Sequence, residues 1–220
     1  MTTSVKYQYT FIAGAFTDTE IVMNNFVLDL HFFIETDSEV DRTVAFDRMD
    51  FFINQIVSNA TFVNSLDTVT VNRLSDAELK LLLVHEHGPT DQIILLTLVS
   101  KLIAITAERI SIVEAELSSL NDKKVKGYNI RYLYHPFENE NDNLIGNNKA
   151  DWWNSEALKF QNTSVSNSQI HKFDKTATWK DLNLHWEEDE DADGEFDIKF
   201  SPTTTTDNIV MLNKNDKEEG

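Results

Sequence analysis

VKYQYTFIAGA at residues 5–15, followed by FVLDLHFFI at residues 26–34, decides the architecture. Val5, Tyr7, Tyr9, Phe11, Ala13 and Ala15 alternate with mostly polar or small neighbours, and Phe26, Leu28, Leu30, Phe32 and Ile34 repeat that period of two. Such alternation sends one row of side chains into a core and the next toward water, so the two stretches read as strands with one buried face. Asp18-Thr19-Glu20 between them suits a hairpin connection, and the change of phase near Asn24-Asn25 predicts a bulge there.

Downstream the period changes. Ala45, Phe46, Met49, Phe52, Ile53, Ile56, Val57 and Ala60 recur at spacings of three and four, the stripe of a helix packed on a sheet. The segment Leu66 to His87 reads two ways. Ser75-Asp76-Ala77-Glu78 has the spacing of a capping box before a short helix, and Leu79 to Val84 reads equally as a buried strand. Gly88-Pro89-Thr90-Asp91 opens a second long helix to about Ile105, with proline in its first turn and Asp91 at the positive end of its dipole. That helix is apolar nearly all round except for Thr97, Ser100 and Lys101, so it is expected to be covered by the sheet and by neighbouring helices or subunits. Two strands follow. Ile110 and Ile112 are expected to share a face with Glu114 and Glu116, and Tyr128, Ile130, Tyr132 and Tyr134 alternate after the charged loop Asn121-Asp122-Lys123-Lys124. The fold class expected is α+β, an antiparallel four-stranded sheet with two helices on one face, followed by a long irregular acidic tail. Its other face, with aromatic and aliphatic residues, is expected to be covered by further copies of the chain.

Composition bounds the rest. The 220 residues are 41% hydrophobic and 25% charged, which suits one globular domain plus an appendage. There is no long uncharged apolar run, and MTTSVKYQYT lacks the basic-then-apolar pattern of an export signal, so a cytoplasmic protein without a membrane span is the expectation. The absence of cysteine excludes disulfides, thiolate nucleophiles and cysteine-ligated zinc. A net charge of -18 repels polyphosphate and argues against direct nucleic-acid binding. Of the 37 acidic residues, 19 fall in residues 138–220. That part is also rich in polar stretches too poor in apolar groups to repay ordering in a core. The division expected is residues 1–136 as the α+β domain and residues 137–220 as the tail.

Three apolar islands interrupt the tail: Trp152-Trp153, the segment holding Trp179, Leu182, Leu184 and Trp186, and Ile209 to Leu212. They read as docking segments, with Trp152, Trp153, Trp179 and Trp186 filling apolar pockets on their own domain or on a partner. Asp189, Asp191, Asp193, Glu195 and Asp197 around Gly194 resemble a calcium loop, but Phe200 stands where a bidentate glutamate is required, so a solvated acidic run is the reading adopted.

The order of elements, together with Phe11-Ile12-Ala13-Gly14-Ala15 in the first strand, Phe46-Asp47 heading the first helix and Gly88-Pro89-Thr90 opening the second, resembles the tunnelling fold over about residues 4–135. That family includes 6-pyruvoyl-tetrahydropterin synthases, carboxy-deazapterin synthases and GTP cyclohydrolases. The resemblance implies a ring of sheets from several subunits, with ligand sites at their interfaces. It also implies that Glu114, a third-strand glutamate, grips the amidine edge of a pterin or purine, for which a carboxylate accepting two parallel hydrogen bonds is suited. The family's zinc histidines and cysteine nucleophile have no counterpart, since Ala15, Phe16, Asn24 and Asn25 occupy those neighbourhoods. No zinc and no catalytic residue are therefore expected. The whole pattern, with its tail tryptophan pair, is also similar to small proteins of tailed phages, which implies host cytoplasm or virion.

His85-Glu86-His87 places two imidazoles on one face if it is extended, and with His31 they have the chemistry of metal ligands. A polar loop before the second helix is the plainer reading, and no metal is expected. Glu114 and Glu116, two apart on one strand, are candidate ligand-binding residues with His85 and His87. The functional expectation is a non-catalytic oligomeric interaction protein with a partner-binding acidic tail. The alternative is a diverged pterin- or purine-binding enzyme, and a third reading makes the tail itself an acidic regulator.

Overall fold

The computed structural model describes residues 3–17, 19–85, 87–119, 130–134, 152–158 and 178–187. Strands β1 (Thr3–Thr17) and β2 (Glu20–Ile34) form a long hairpin, paired from Thr3 with Ile34 to Thr17 with Glu20. The register is unbroken through Asn24 and Asn25, so the bulge expected there is absent from this pair. Helix α1 (Glu39–Phe51) follows, its first turn closed by Ser38, whose hydroxyl accepts from the Asp41 amide at 3.1 Å, and it continues as a π-helical turn over Phe52–Val57. The helix thus begins well before Phe46-Asp47.

The ambiguous middle contains more structure than the four-strand expectation allowed. Strand β3 (Thr61–Asn64), helix α2 (Thr68–Asp76) and strand β4 (Leu81–Val84) intervene before helix α3 (Asp91–Thr106). Ser75 and Asp76 end α2 rather than start a helix. Its cap is Asp67, which accepts from the Thr70 amide at 3.0 Å. Pro89 lies just outside α3, where Thr90 is the cap. Strands β5 (Ile110–Ser119) and β6 (Ile130–Tyr134) complete a six-stranded sheet in the order β4-β3-β1-β2-β5-β6. It is mixed, because β3 runs parallel to both β1 and β4. The fold class is α+β, and the antiparallel four-stranded sheet is corrected to this larger one. The loop Asn121–Lys124 and the island Ile209–Leu212 lie outside the described residues.

One glycine answers to crowding from β2. A Cβ on Gly14 would approach Ile21 Cγ2 to 2.7 Å and Met23 Sδ to 3.0 Å, so any side chain there would displace these two side chains.

Helices cover both faces, unequally. Val5, Tyr9, Phe11, Phe26, Leu28, Leu30 and Phe32 meet α1 and α3 in the main core, while Phe16, Val63, Leu81 and Leu83 pack with Val71 and Leu74 of α2 on the opposite side. The register of β2 against β5 shifts between His31 and Phe32, leaving Val113 as the extra residue of a bulge. The bulge reverses the phase of β5. Ile110 and Ile112 turn inward with Ala115 and Leu117, and Glu114 and Glu116 turn outward, so the expectation that the isoleucines and glutamates share one face fails. The outer face is mixed. Opposite α1 and α3 stand Lys6, Gln8, Thr10, Asp29, His31, Glu114 and Glu116 together with Ile12, Met23, Val27 and Phe33, of which Ile12 and Met23 are 48% and 49% exposed, while the aromatic residues of the main core point inward.

Candidate functional site on the open sheet face

Cross-strand register sets the open face. His31 of β2 lies directly between Lys6 of β1 and Glu114 of β5, and two residues along, Asp29 lies between Gln8 and Glu116. Residues opposite one another have side chains close enough to interact. The first row is extended by Ser4, whose hydroxyl is 2.8 Å from His31 Nε2, and His31 Nδ1 is 3.7 Å from the Glu114 carboxylate. In the second row Gln8 Nε2 donates to Asp29 Oδ1 at 2.6 Å, and Ser118 Oγ donates to Glu116 Oε1 at 3.3 Å. The His31 and Glu114 side chains are 28% and 46% exposed, open enough to receive a ligand. Serine, imidazole and carboxylate here have the connectivity of a nucleophile, base and orienting acid. Ser4 is exposed, though, so water reaches it as freely as any substrate, and the row is better suited to hydrogen bonding than to acyl transfer.

His85 and His87 do not join this site. They follow β4 at the far edge of the sheet, with β3, β1 and β2 between β4 and Glu114's strand. Their rings lie 4.8 Å apart, and His85 Nδ1 is buried without a hydrogen-bond partner. Among the described residues no group of three or more His, Asp or Glu is placed to hold a metal, and no helix is long and apolar enough to cross a membrane.

On the helix side a second polar cluster sits beneath β1. Tyr9 and Tyr7 both donate to Asp50 Oδ1, at 2.8 and 3.3 Å. Burial, then the Asp50 charge and hydrogen bond, pushes the Tyr7 phenol up to about 12, and the same causes raise Tyr9 well above the ordinary phenol range. Burial also raises Asp50, opposed by the two phenol donors, and raises Asp47, to which the Asp50 charge adds.

The four tail tryptophans are buried in the chain's own core. Trp152 Nε1 donates to the Leu83 carbonyl of β4 at 2.7 Å. Lys101 of α3, 0% exposed, donates to the carbonyls of Trp152, Ser155 and Ala157 at 3.0, 2.6 and 2.9 Å. Arg48 of α1, 1% exposed, lies 4.7 Å from the Trp179 ring and 3.7 Å from the Trp186 ring, and pairs with Glu156 at 2.9 Å. Arg48 Nε also donates to the Leu184 carbonyl at 2.7 Å. Trp186 Nε1 donates to the same Glu156 carboxylate and Trp179 Nε1 to the Glu156 carbonyl, both at 2.7 Å. On the other side of Trp186, Arg109 lies 4.4 Å from the ring and 3.2 Å from Asp41, which also accepts from the Glu187 amide at 2.9 Å. The neighbour expected to cover α3 is therefore, among the described residues, the chain's own tail. Sequence reasoning missed Arg48, Lys101, Arg109 and Asp41. The available signal was a cation set among Ala45, Met49 and Phe52 on α1, and another in the apolar run of α3.

No protein-family model matches the chain, and no curated protein matches it. Among solved structures it is similar to an uncharacterized protein from Wolinella succinogenes, with 10% identity and a TM-score of 0.42, over 62% of this chain and 99% of that one. It is also similar to two catalytic-residue mutants of Plasmodium vivax 6-pyruvoyltetrahydropterin synthase, with 9% and 10% identity and TM-scores of 0.36, over 61% of this chain and 99% of each of those. The likeness is one of distant fold.

Proposed function

We propose that the chain is a non-catalytic oligomeric interaction protein whose copies join along the outer edge of β1 and whose tail is its partner-binding element. The observation that carries this reading is the edge itself. β1 pairs with β2 along its whole length but with β3 only at Gly14 and Ala15. The Gly14 amide donates to Ala60, and the Ile12 carbonyl accepts from Asn59, so even-numbered residues of β1 turn their backbone groups away from β2. Ser4, Lys6, Gln8 and Thr10 thus present a row of donors and acceptors with no strand against them among the described residues, and such a row is a template for another strand.

Native mass measurement tests the reading. The chain is expected at a multiple of 25.3 kDa, and Thr10→Pro, which deletes one outward amide without touching the β1–β2 ladder, is expected to shift it to a single copy. A wild-type mass of one copy overturns the proposal.

A second reading, a diverged pterin- or purine-binding enzyme, is favoured by the half-exposed Glu114 carboxylate beside His31, which can accept from an amidine edge. Pterin binding by the full chain that Glu114→Gln abolishes supports it. Unchanged binding removes Glu114 from that role.

A further inference from the structure

His85 and His87 stand apart from both the open face and the tail. Strand β3, helix α2 and strand β4 form a parallel β-α-β unit, with Thr61–Asn64 in register against Leu81–Val84. The loop leaving the carboxyl end of a parallel strand is where such units collect ligand contacts. All four residues of β4 are buried, so the point from which His85 departs is held firmly. The chain then doubles back. The Gly88 amide donates to the His85 carbonyl at 2.9 Å, and Gly88 takes a φ of 81°, which any side chain would strain. Thr90 caps α3 immediately afterwards, its hydroxyl accepting from the Ile93 amide at 3.3 Å. Held from both sides, the loop brings the two imidazoles together, with ring centroids 4.8 Å apart and planes 46° from parallel.

Two observations point to a ligand between the rings. His85 Nδ1 is buried with no hydrogen-bond partner, whereas buried ring nitrogens are ordinarily satisfied by a protein group, a water or an ion. A polar loop is the plainer reading of the sequence, and the unsatisfied nitrogen is what that reading leaves unexplained. The ring spacing agrees. With metal–nitrogen bonds of about 2.0 Å, two imidazoles on one ion place their centroids about 4.5 Å apart at a right angle and about 5.1 Å apart at a tetrahedral one. The observed separation falls between the two. We infer that His85 and His87 form a two-imidazole site for a borderline divalent transition ion, copper(II) most tightly, with its remaining positions open to water. Imidazole suits copper, nickel and zinc, and copper binds such donors best. His87 is exposed, so the ion enters from solvent and keeps water on that side. The net charge of -18 raises the local concentration of cations. His31 takes no part, because β3 and β1 separate its strand from β4. Neither assembly through β1 nor a ligand at Glu114 is required.

Copper(II) titrated into the chelator-stripped full chain tests the site. Excess magnesium in the neutral buffer occupies the acidic oxygen ligands, which prefer hard ions. A single equivalent is expected to bind ahead of all weaker sites, and its electron paramagnetic resonance spectrum is expected to show splitting from two imidazole nitrogens. His87→Asn, at an exposed position, is expected to weaken that equivalent by more than about tenfold and to remove the two-nitrogen pattern. His85→Asn is expected to do the same, and if circular dichroism shows that it fails to fold, His87→Asn alone decides. His31→Asn is expected to leave both affinity and spectrum unchanged. A wild-type chain with no nitrogen-ligated equivalent overturns the proposal. So does a His87→Asn chain that keeps the affinity and the two-nitrogen spectrum, or their loss in His31→Asn.

Discussion

On the open side of β1, β2 and β5, charges stand in rows with water beside them, and each ion pair or hydrogen bond replaces a solvated alternative. On the helix side, Arg48 and Lys101 are fully enclosed, and each is met by ring faces, carbonyls or a carboxylate. The difference teaches where stability resides. An exposed pair is worth little because water competes for both members, whereas an enclosed cation becomes a liability once its partner is removed.

That contrast sets the expected ranking of variants. Trp152→Ala deletes a buried indole and the donor to Leu83, and is expected to cost about 3–5 kcal/mol, read as a lower urea midpoint by circular dichroism. A change below 1 kcal/mol would show that the tail packs without supporting the core. Lys101→Met keeps the stem but removes the ammonium donor from three carbonyls, and is expected to cost about 1–3 kcal/mol in the same measurement. A stabilised variant would mean that enclosing the ammonium costs more than its hydrogen bonds return.

Alkaline titration sharpens the comparison without changing packing. Because folding raises the Tyr7 pKa from 10.0 to about 12, its neutral form is favoured in the fold, so this contribution is full below pH 10 and is lost as pH rises through 12. Tyr7→Phe is expected to make stability fall less steeply across that window, Tyr9 supplying the remaining slope, and an unchanged slope would sink the assignment. The smallest effect is expected from Glu114→Gln on the open face, within about 0.5 kcal/mol. A larger loss would show that the His31 row carries structural weight.

Much of the frame is legible in the sequence because β1, β2, α1 and α3 are long enough to display a period. β3 is not. Thr61–Asn64 spans only four residues, and β4 is an apolar run with no alternation, since both of its faces are covered. Val113 hides for a different reason. One extra residue leaves composition unchanged yet reverses which neighbours face the core, and only the register against β2 reveals it. Glu114 and Glu116 could be singled out by spacing, but their association with His31, Lys6 and Ser4 depends on three-strand pairing. Arg48 and Lys101 look like ordinary helix cations until the tail carbonyls and indoles that satisfy them are in place.

The placement of the indoles has an optical consequence. All four tryptophans of the chain lie in the segments that cover α1 and α3, and none belongs to the sheet or to the long helices. Ultraviolet emission excited at the red edge therefore observes the cover alone. Lifting it turns the spectrum from blue to red while the strands stay silent, so the protein carries an unlabelled sensor of whether α1 and α3 are covered.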